Sequence, residues 1–542
     1  MRKIASLLSV LMLLCTLAFS QTQTVVGRVT DENGNGVPFA TVSEDGAKNV
    51  TTADAQGNFT IKVKQGAKLT ISAAGFTPVS VDAGATVSVS LKSTGQLSEV
   101  IVTTALGQQR QAKELGYSTA KVKAQELTQA KPVNLQNGLT GKVSGLNIQT
   151  VNNGVFGDTR ITLRGIRSLT GNNQPMLILD GVPISLGFIS SINPNDVLDI
   201  TILKSASATA VYGPEGVNGA IVITTKRGSK NRPLVTLSHT VQAERVSYMP
   251  KLQTQFGSGS SVDQYGYGVY DPIENQGYGD AFDGSLRQLG REFDIDGDGN
   301  VDTLWATYVA RPEEKRKFWN TGITNQTDFS FSTGDFYLSA QHVDIQGVMP
   351  KDKNRRIALH LNSVKEYNKF KAGFSMNYTR SDYDVNVGSS FGNGRDYTVY
   401  WNVINTPVQI PLTKFKDWKN PKSWANPNWY FNDYYYNPYW IIDNFRGKGR
   451  SDDILGNLEL NYKVASWINL TGRLSGTISN GTYKNTQGAF NYNAESYNSH
   501  KAVAQSNIPA ALQDGSGFSS RVSAEVFANL RRNFSQISMD AI

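Results

Sequence analysis

The run Asp294-Ile295-Asp296-Gly297-Asp298-Gly299-Asn300-Val301-Asp302 carries side-chain oxygens on alternate residues. Oxygen donors at this spacing, with glycine at the sixth position, suit a hard cation, calcium above all. The candidate metal ligands are therefore Asp294, Asp296, Asp298, Asn300 and Asp302, and calcium is the one cofactor the sequence suggests. The twelfth position is Trp305 rather than glutamate, and no flanking helices are evident, which argues against a calcium-sensing helix pair. A solvated acidic turn is the alternative.

Residues 391 to 446 form a long segment dense in aromatic side chains. Long loops are usually functional or disordered, and aromatics argue against disorder. Trp424, Trp429, Tyr434, Tyr435, Tyr436 and Trp440 are candidate ligand contacts, because aromatic faces stack on the C–H faces of sugars or on peptide side chains. Asn432, Asp433 and Asn437 lie among them as groups that could orient a ligand. The competing reading is an aromatic girdle packed against its surroundings.

Catalytic chemistry has no positive support. The four histidines, His239, His342, His360 and His500, are scattered. There is no P-loop, no H-E-x-x-H and no G-x-S-x-G. The net charge of +8 is spread without a basic run, so nucleic acid is not implied.

Several elements must position these groups. Arg2 and Lys3, the apolar Ile4 to Leu17 and the small-x-small Ala18-Phe19-Ser20 read as a signal peptide over 1–20. The rival is a lipoprotein signal at Cys15, against which the bulky Leu14 argues; cleavage after Ser20 removes Cys15, the only cysteine, and with it disulfides and a cysteine nucleophile. No later stretch of about 18 apolar residues forms a membrane helix. Short strands and glycine turns over 21–93 predict an immunoglobulin-like β-sandwich. In the linker over 94–112, Glu99-Val100-Ile101-Val102-Thr103 is an acidic residue before a β-branched run. Such a run is an ordinary strand or one that adds to a partner's sheet edge. Residues 113–230 read as a small α+β domain. Its expected strands are Thr159–Arg164, Met176–Leu179, Val197–Leu203 and Ala220–Thr225, with a short helix and loops over Ala130–Leu146 and a small-residue helix or turn over Ala206–Tyr212. Arg160 and Arg164 are expected on one strand face.

From 231 to 542 the pattern changes to period-2 strands near ten residues long. Phe370, Ala372, Phe374, Met376 and Tyr378 alternate with polar residues, and Ile357, Leu359 and Leu361 form the partner through a turn at Glu366–Lys369. Leu458, Leu460 and Tyr462, then Ile468, Leu470 and Leu474, then Val522 to Leu530 repeat the pattern. Apolar-out, polar-in strands with alternating short and long connections are the signature of an outer-membrane β-barrel. The fold class is mainly β: a sandwich, a small α+β plug, and part of an antiparallel transmembrane barrel.

Two stretches carry a family resemblance: RITLRGIRSLTGNNQPMLILDGVPI from Arg160 to Ile184, and INPNDVLDITILKSASATAVYGPEGVNGAIVITTKRG from Ile192 to Gly228. They resemble the plug of SusC/RagA-type TonB-dependent outer-membrane transporters. The matching positions include Arg160, Arg164, Gly165, Asp180, Gly181, Tyr212, Gly213, Asn218 and Gly219. Ser205 and Pro214-Glu215 depart from the family pattern. The sandwich is similar to a carboxypeptidase-regulatory-like domain, and Glu99–Thr103 to the TonB box. The resemblance implies active import of oligosaccharides or peptides, with no enzyme activity. It implies the TonB energy-transducing complex and a SusD-like surface lipoprotein as partners. Outer-membrane lipids would surround a barrel of about 22 strands, since roughly eight cannot enclose a plug. Most of that barrel is then expected beyond residue 542. The alternatives are a surface glycan receptor or adhesin without transport, a siderophore or vitamin transporter, and a secreted carbohydrate-active enzyme.

Overall fold

A computed structural model describes residues 22–32, 34–47, 49–92, 101–103, 109–111, 119–229, 233–388, 398–534 and 537–541. The expected leader lies outside the described residues, as do Glu99 and Val100.

The first compact unit is a seven-stranded sandwich. One sheet pairs β1 (Thr22–Thr30) with β4 (Asn58–Lys64) and β7 (Thr86–Ser90). The other is ordered β3 (Val50–Thr52), β2 (Thr41–Glu44), β5 (Lys68–Ser72), β6 (Val79–Asp82). Strict alternation makes the core: Phe59, Ile61 and Val63 of β4 are buried while Thr60 and Lys62 are exposed. Two short strands follow, β8 (Ile101–Thr103) and β9 (Gln109–Gln111), which pair with each other.

The second unit begins with the expected α+β domain. Its sheet is ordered β10 (Thr119–Lys123), β15 (Val197–Leu203), β16 (Ala220–Thr225), β13 (Met176–Leu179), β14 (Val182–Ile184). β16 is buried along its whole length and reads as continuous apolar and Thr residues, as a central strand must. A separate hairpin joins β11 (Leu146–Asn153) to β12 (Gly157–Leu163). β13, β15 and β16 have the bounds expected from sequence. Within Ala130–Leu146 the structure has the expected short helix with loops. The helix is confined to Leu135–Leu139, because Gly141 and Gly145 take positive φ and Leu146 starts β11. Asp180 and Gly181 form the two-residue turn between β13 and β14, with φ of 47° and 87°. Positive φ at both positions matches the twist of the flanking strands and favours an Asp-Gly pair.

The remaining strands form one antiparallel sheet. Its order is β17 (Leu234–Glu244), β20 (Gly322–Thr333), β21 (Phe336–Gln346), β22 (Lys353–Tyr367), β23 (Phe370–Asn386), β24 (Phe445–Ala465), β25 (Ile468–Gln487), β26 (Ala511–Phe534), β27 (Ile537–Ala541). β18 (Leu286–Gln288) and β19 (Trp305–Thr307) pair inside the loop after β17. The hairpin read from Ile357–Leu361 and Phe370–Tyr378 is present, with Leu359 opposite Tyr378. Several strands exceed the expected ten residues: β24 has 21 and β25 has 20. The apolar alternation covers only part of each. On β24 it runs over Val464, Tyr462, Leu460, Leu458 and Ile454, all exposed, and then gives way to Asp452, Arg450, Lys448 and Arg446 on the same face. The opposite face is polar and buried against the α+β domain, as at Gln341, His360, Asn362 and Arg473.

Candidate functional site

The α+β domain meets the sheet through hydrogen bonds that converge on its turns. Arg473, on the polar face of β25, donates from Nη1 to the Gly181 carbonyl at 3.0 Å. Glu459 of β24 and Glu525 of β26 flank the guanidinium at 2.6 and 3.1 Å. A Cβ on Gly181 would lie 3.0–3.2 Å from the Arg473 guanidinium, so only glycine lets the turn approach this closely. Arg356 of β22 donates to the Val133 carbonyl at 2.7 Å, the Ser190 carbonyl at 2.9 Å and Gln341 Oε1 at 2.9 Å. Smaller links join Ser191 Oγ to Asp453 Oδ2 at 3.1 Å and Tyr337 Oη to Asp196 Oδ1 at 2.9 Å. Such an interface is specific in position, and water can replace its hydrogen bonds when the surfaces part.

The resemblance implies that Arg160, Arg164 and Asp180 hold the plug inside the barrel, but the side-chain hydrogen bonds of Asp180 stay within the domain. Its carboxylate accepts from Thr225 N at 2.9 Å and Thr225 Oγ1 at 2.7 Å, which braces the turn that Gly181 presents. Arg160 and Arg164 are both exposed. They do not share a strand face, because Arg164 follows β12 with φ of 64° and leaves the alternation. Gly165 beside it also takes positive φ. Tyr212 packs on the cluster of Ile178, Leu203 and Ala220, and Gly213 ends the helix Ser205–Tyr212 with φ of 67°. Asn218 donates to the carbonyls of Asn172 and Gln174 at 2.8 and 3.3 Å. A Cβ on Gly219 would meet Leu163 Cδ2 at 2.3 Å, so this glycine serves close packing.

The aromatic segment is largely a core. Trp429, Tyr436 and Trp440 are buried, Trp440 to 1% exposure, against Phe293, Phe445 and Phe490. These three do not face a ligand, contrary to the sequence expectation. Trp424 and Tyr435 are half-buried, and Tyr434 is exposed, as are Tyr400 and Trp401 nearby. The polar groups read as ligand-orienting are also used internally. Asn437 Nδ2 donates to the Phe415 and Ala425 carbonyls, and Asn432 Oδ1 accepts from Tyr434 N and Tyr435 N. Asp433 receives a two-pronged grip from Arg291, with Nη2 at 2.6 Å. Lys501, fully buried, donates to the Pro427 and Tyr430 carbonyls, and burial lowers its ammonium to about 7. The loops at this end of the sheet thus form a braced cap.

In the acidic run, Asp294, Asp296 and Asp298 each bring a carboxylate oxygen within 4.8 Å of the others. Three hard oxygens at that spacing fit a calcium ion. Asp302 is not part of that cluster. Asp302 Oδ2 accepts from Ile295 N at 3.1 Å, and Asn300 Nδ2 donates to Asp298 Oδ2.

Two family models match parts of the chain: the TonB-dependent Receptor Plug Domain over residues 111–220 and a CarboxypepD_reg-like domain over 25–103. The chain is 26% identical over 468 residues to the TonB-dependent receptor SusC of Bacteroides thetaiotaomicron, covering 82% of this chain and 43% of that protein. It is 27% identical over 379 residues to the TonB-dependent receptor P39 of Formosa agariphila, covering 68% and 34%. The fold is similar to the RagAB peptide importer in its open-open state, with a TM-score of 0.58 at 17% identity, covering 80% of this chain and 47% of that one. In these parts the chain is similar to SusC/RagA-type TonB-dependent receptors. The chain spans less than half the length of the relatives it matches.

Seen as a receptor, the α+β domain is the plug and the nine-stranded sheet is barrel wall. Sequence reading missed both arginines of the wall, Arg356 and Arg473. The available signal was an arginine on the polar face of an apolar-alternating strand, between Gly472 and Leu474 in β25 and between Arg355 and Ile357 in β22. In a barrel that face looks inward, so a cation there needs a partner inside.

Proposed function

We propose that the chain serves TonB-dependent active import across the outer membrane of a Gram-negative bacterium. The cargo is oligosaccharide or peptide, too large for a simple pore. The observation that carries this reading is the plug seated on the polar face of the wall by hydrogen bonds at Gly181, Val133 and Ser190. A plug attached in that way blocks passage yet releases under force.

The force enters through the segment Glu99–Thr103, which pairs as an added strand with the energy-transducing protein. Its residues Ile101–Thr103 already take strand form with Gln109–Gln111. The braced loop cap lies opposite the short turns, on the cell-exterior side, where a SusD-like lipoprotein would sit as a lid. Exposed Tyr434, Tyr400 and Trp401 are the aromatic groups left to contact cargo or lid. The Asp294–Asp298 carboxylates would hold calcium as a structural ion in that cap.

Uptake and cell-surface binding of an oligosaccharide and peptide panel, with and without deletion of Glu99 to Thr104 in the full-length gene, test the reading. Import requires that the deletion abolish uptake and spare binding. Unchanged uptake would refute it in favour of a surface receptor.

A further inference from the structure

Above its apolar belt the outer face of the wall carries a transverse row of charges. Strand register places Lys353 of β22 opposite Asp384 of β23, Asp384 opposite Lys448 of β24, and Lys448 opposite Lys484 of β25. All four share the outward face with Ile357, Met376, Ile454 and Ile478. Like charges directly across a strand pair repel. The acids that register places directly beside this pair are Asp384 and, beyond Lys484, Asp514. Asp384 is already shared, since Arg446 sits 2.8 Å and Lys448 3.6 Å from it.

A cleft of about 580 Å³ opens on this row, under the overhang of the cap. Its acids are committed: Asp352 and Asp384 to Arg446, and Asp443 to Lys351. Among the described residues, Lys353, Lys419 and Lys484 have no ion-pair partner within 4.0 Å. Lys353, Lys419 and Lys448 line the cleft, so it holds surplus positive charge facing outward.

Height selects the ligand. The belt on β24 from Val464 to Ile454 spans about 25 Å along the membrane normal at a strand tilt near 40°. Lys448 lies six residues past Ile454 on β24, about 15 Å beyond the hydrocarbon edge by the same geometry. The headgroup layer of an ordinary phospholipid reaches only about 5–8 Å. We infer that this cleft binds the phosphate groups of an outer-leaflet glycolipid whose sugar headgroup is tall enough to reach it. The inference rests on the outer-membrane reading of the sheet.

The full-length protein is reconstituted into phosphatidylcholine nanodiscs with lipopolysaccharide, dephosphorylated lipopolysaccharide or phosphatidylglycerol, and a separate arm adds inorganic phosphate alone. Bound lipid is counted by native mass spectrometry after detergent exchange. Lipopolysaccharide should be retained by the wild type. Retention should fall about a hundredfold in Lys353→Ala/Lys419→Ala/Lys448→Ala, three of the lysines that line the cleft, at about fivefold for each lysine near an anionic surface. Lys365→Ala, on the same strand at the short-turn end, should retain lipid as the wild type does. Equal retention by the triple variant overturns the inference. So does equal retention of dephosphorylated lipopolysaccharide or phosphatidylglycerol, or saturation of the site by inorganic phosphate. Loss of a co-purifying lid protein with lipid unchanged would assign the cleft to a protein and also overturn it. Membrane fractionation and heat-modifiable mobility of both proteins separate the two failures. A protein absent from the outer membrane removes the premise and the inference together, whereas a correctly inserted protein without bound lipid removes only the cleft.

Discussion

Arg473 in the barrel wall donates to the carbonyl of Gly181 at the tip of the plug hairpin, 292 residues away in the chain. Glu459 and Glu525 aim the guanidinium, and Asp180 braces the turn through Thr225. Removing the guanidinium leaves two half-buried carboxylates without their cation. Arg473→Met should lower unfolding stability by about 3 kcal/mol, since it strands two carboxylates. Gly181→Ala should cost about 1–2 kcal/mol through its left-handed backbone alone. Chemical denaturation of the full-length protein checks both. Wild-type stability in Arg473→Met would remove the latch.

Arg356 tests the second attachment. Its guanidinium serves two plug carbonyls and one wall amide at once. Lysine keeps the charge but not the fork. Arg356→Lys should loosen the plug by about 2–3 kcal/mol, the worth of one or two charge-assisted hydrogen bonds. The readout is ion leak in planar bilayers, which should rise over the wild type without cargo.

Much of this architecture was legible in the chain. β13, β15 and β16 follow from apolar runs bounded by Gly, Pro and Asn, and the hairpin of β22 and β23 from strict alternation with a short polar turn. Strand length was not legible, because past Ile454 the outward face turns from apolar to charged and the alternation disappears from view. The roles of the aromatics were not legible either. Trp440 and Tyr434 sit six residues apart in the same composition, yet one is core and the other exposed, which only tertiary packing decides. The Arg473–Gly181 contact joins segments too distant for any local pattern to reveal.

Lys501 makes the cap sensitive to pH. Burial holds its ammonium at about 7, below the ordinary 10.5. The unfolded chain therefore binds more protons between those values, and stability should rise as pH goes from about 7 to 10. The urea midpoint followed by tryptophan fluorescence should increase over that range in the wild type. In Lys501→Met the rise should shrink, while the midpoint at pH 10 falls below wild type because two buried carbonyls lose their donor. An identical pH profile in the two proteins would exclude Lys501 as the source.

The acidic loop should bind calcium weakly, at about 0.1–1 mM, as exterior modules with few carboxylates do. Terbium luminescence sensitised by Trp305 and competed by calcium reads it directly. Asp294→Asn should abolish the signal, whereas Asp302→Asn should reduce it little, since Asp302 lies outside the three-carboxylate cluster. Equal losses in both would place Asp302 among the ligands.

Import by plug displacement is tested most directly by tying the plug to the wall. Ser191 of the plug and Asp453 of β24 meet at 3.1 Å. Cysteines at both positions in the full-length protein, joined by a short bis-methanethiosulfonate that forms a reducible disulfide at each thiol with loss of methanesulfinate, hold the plug in place. Cargo binding should persist and uptake should stop, then return on reduction. Uptake at the wild-type rate with the tether intact would contradict displacement of the plug from this wall.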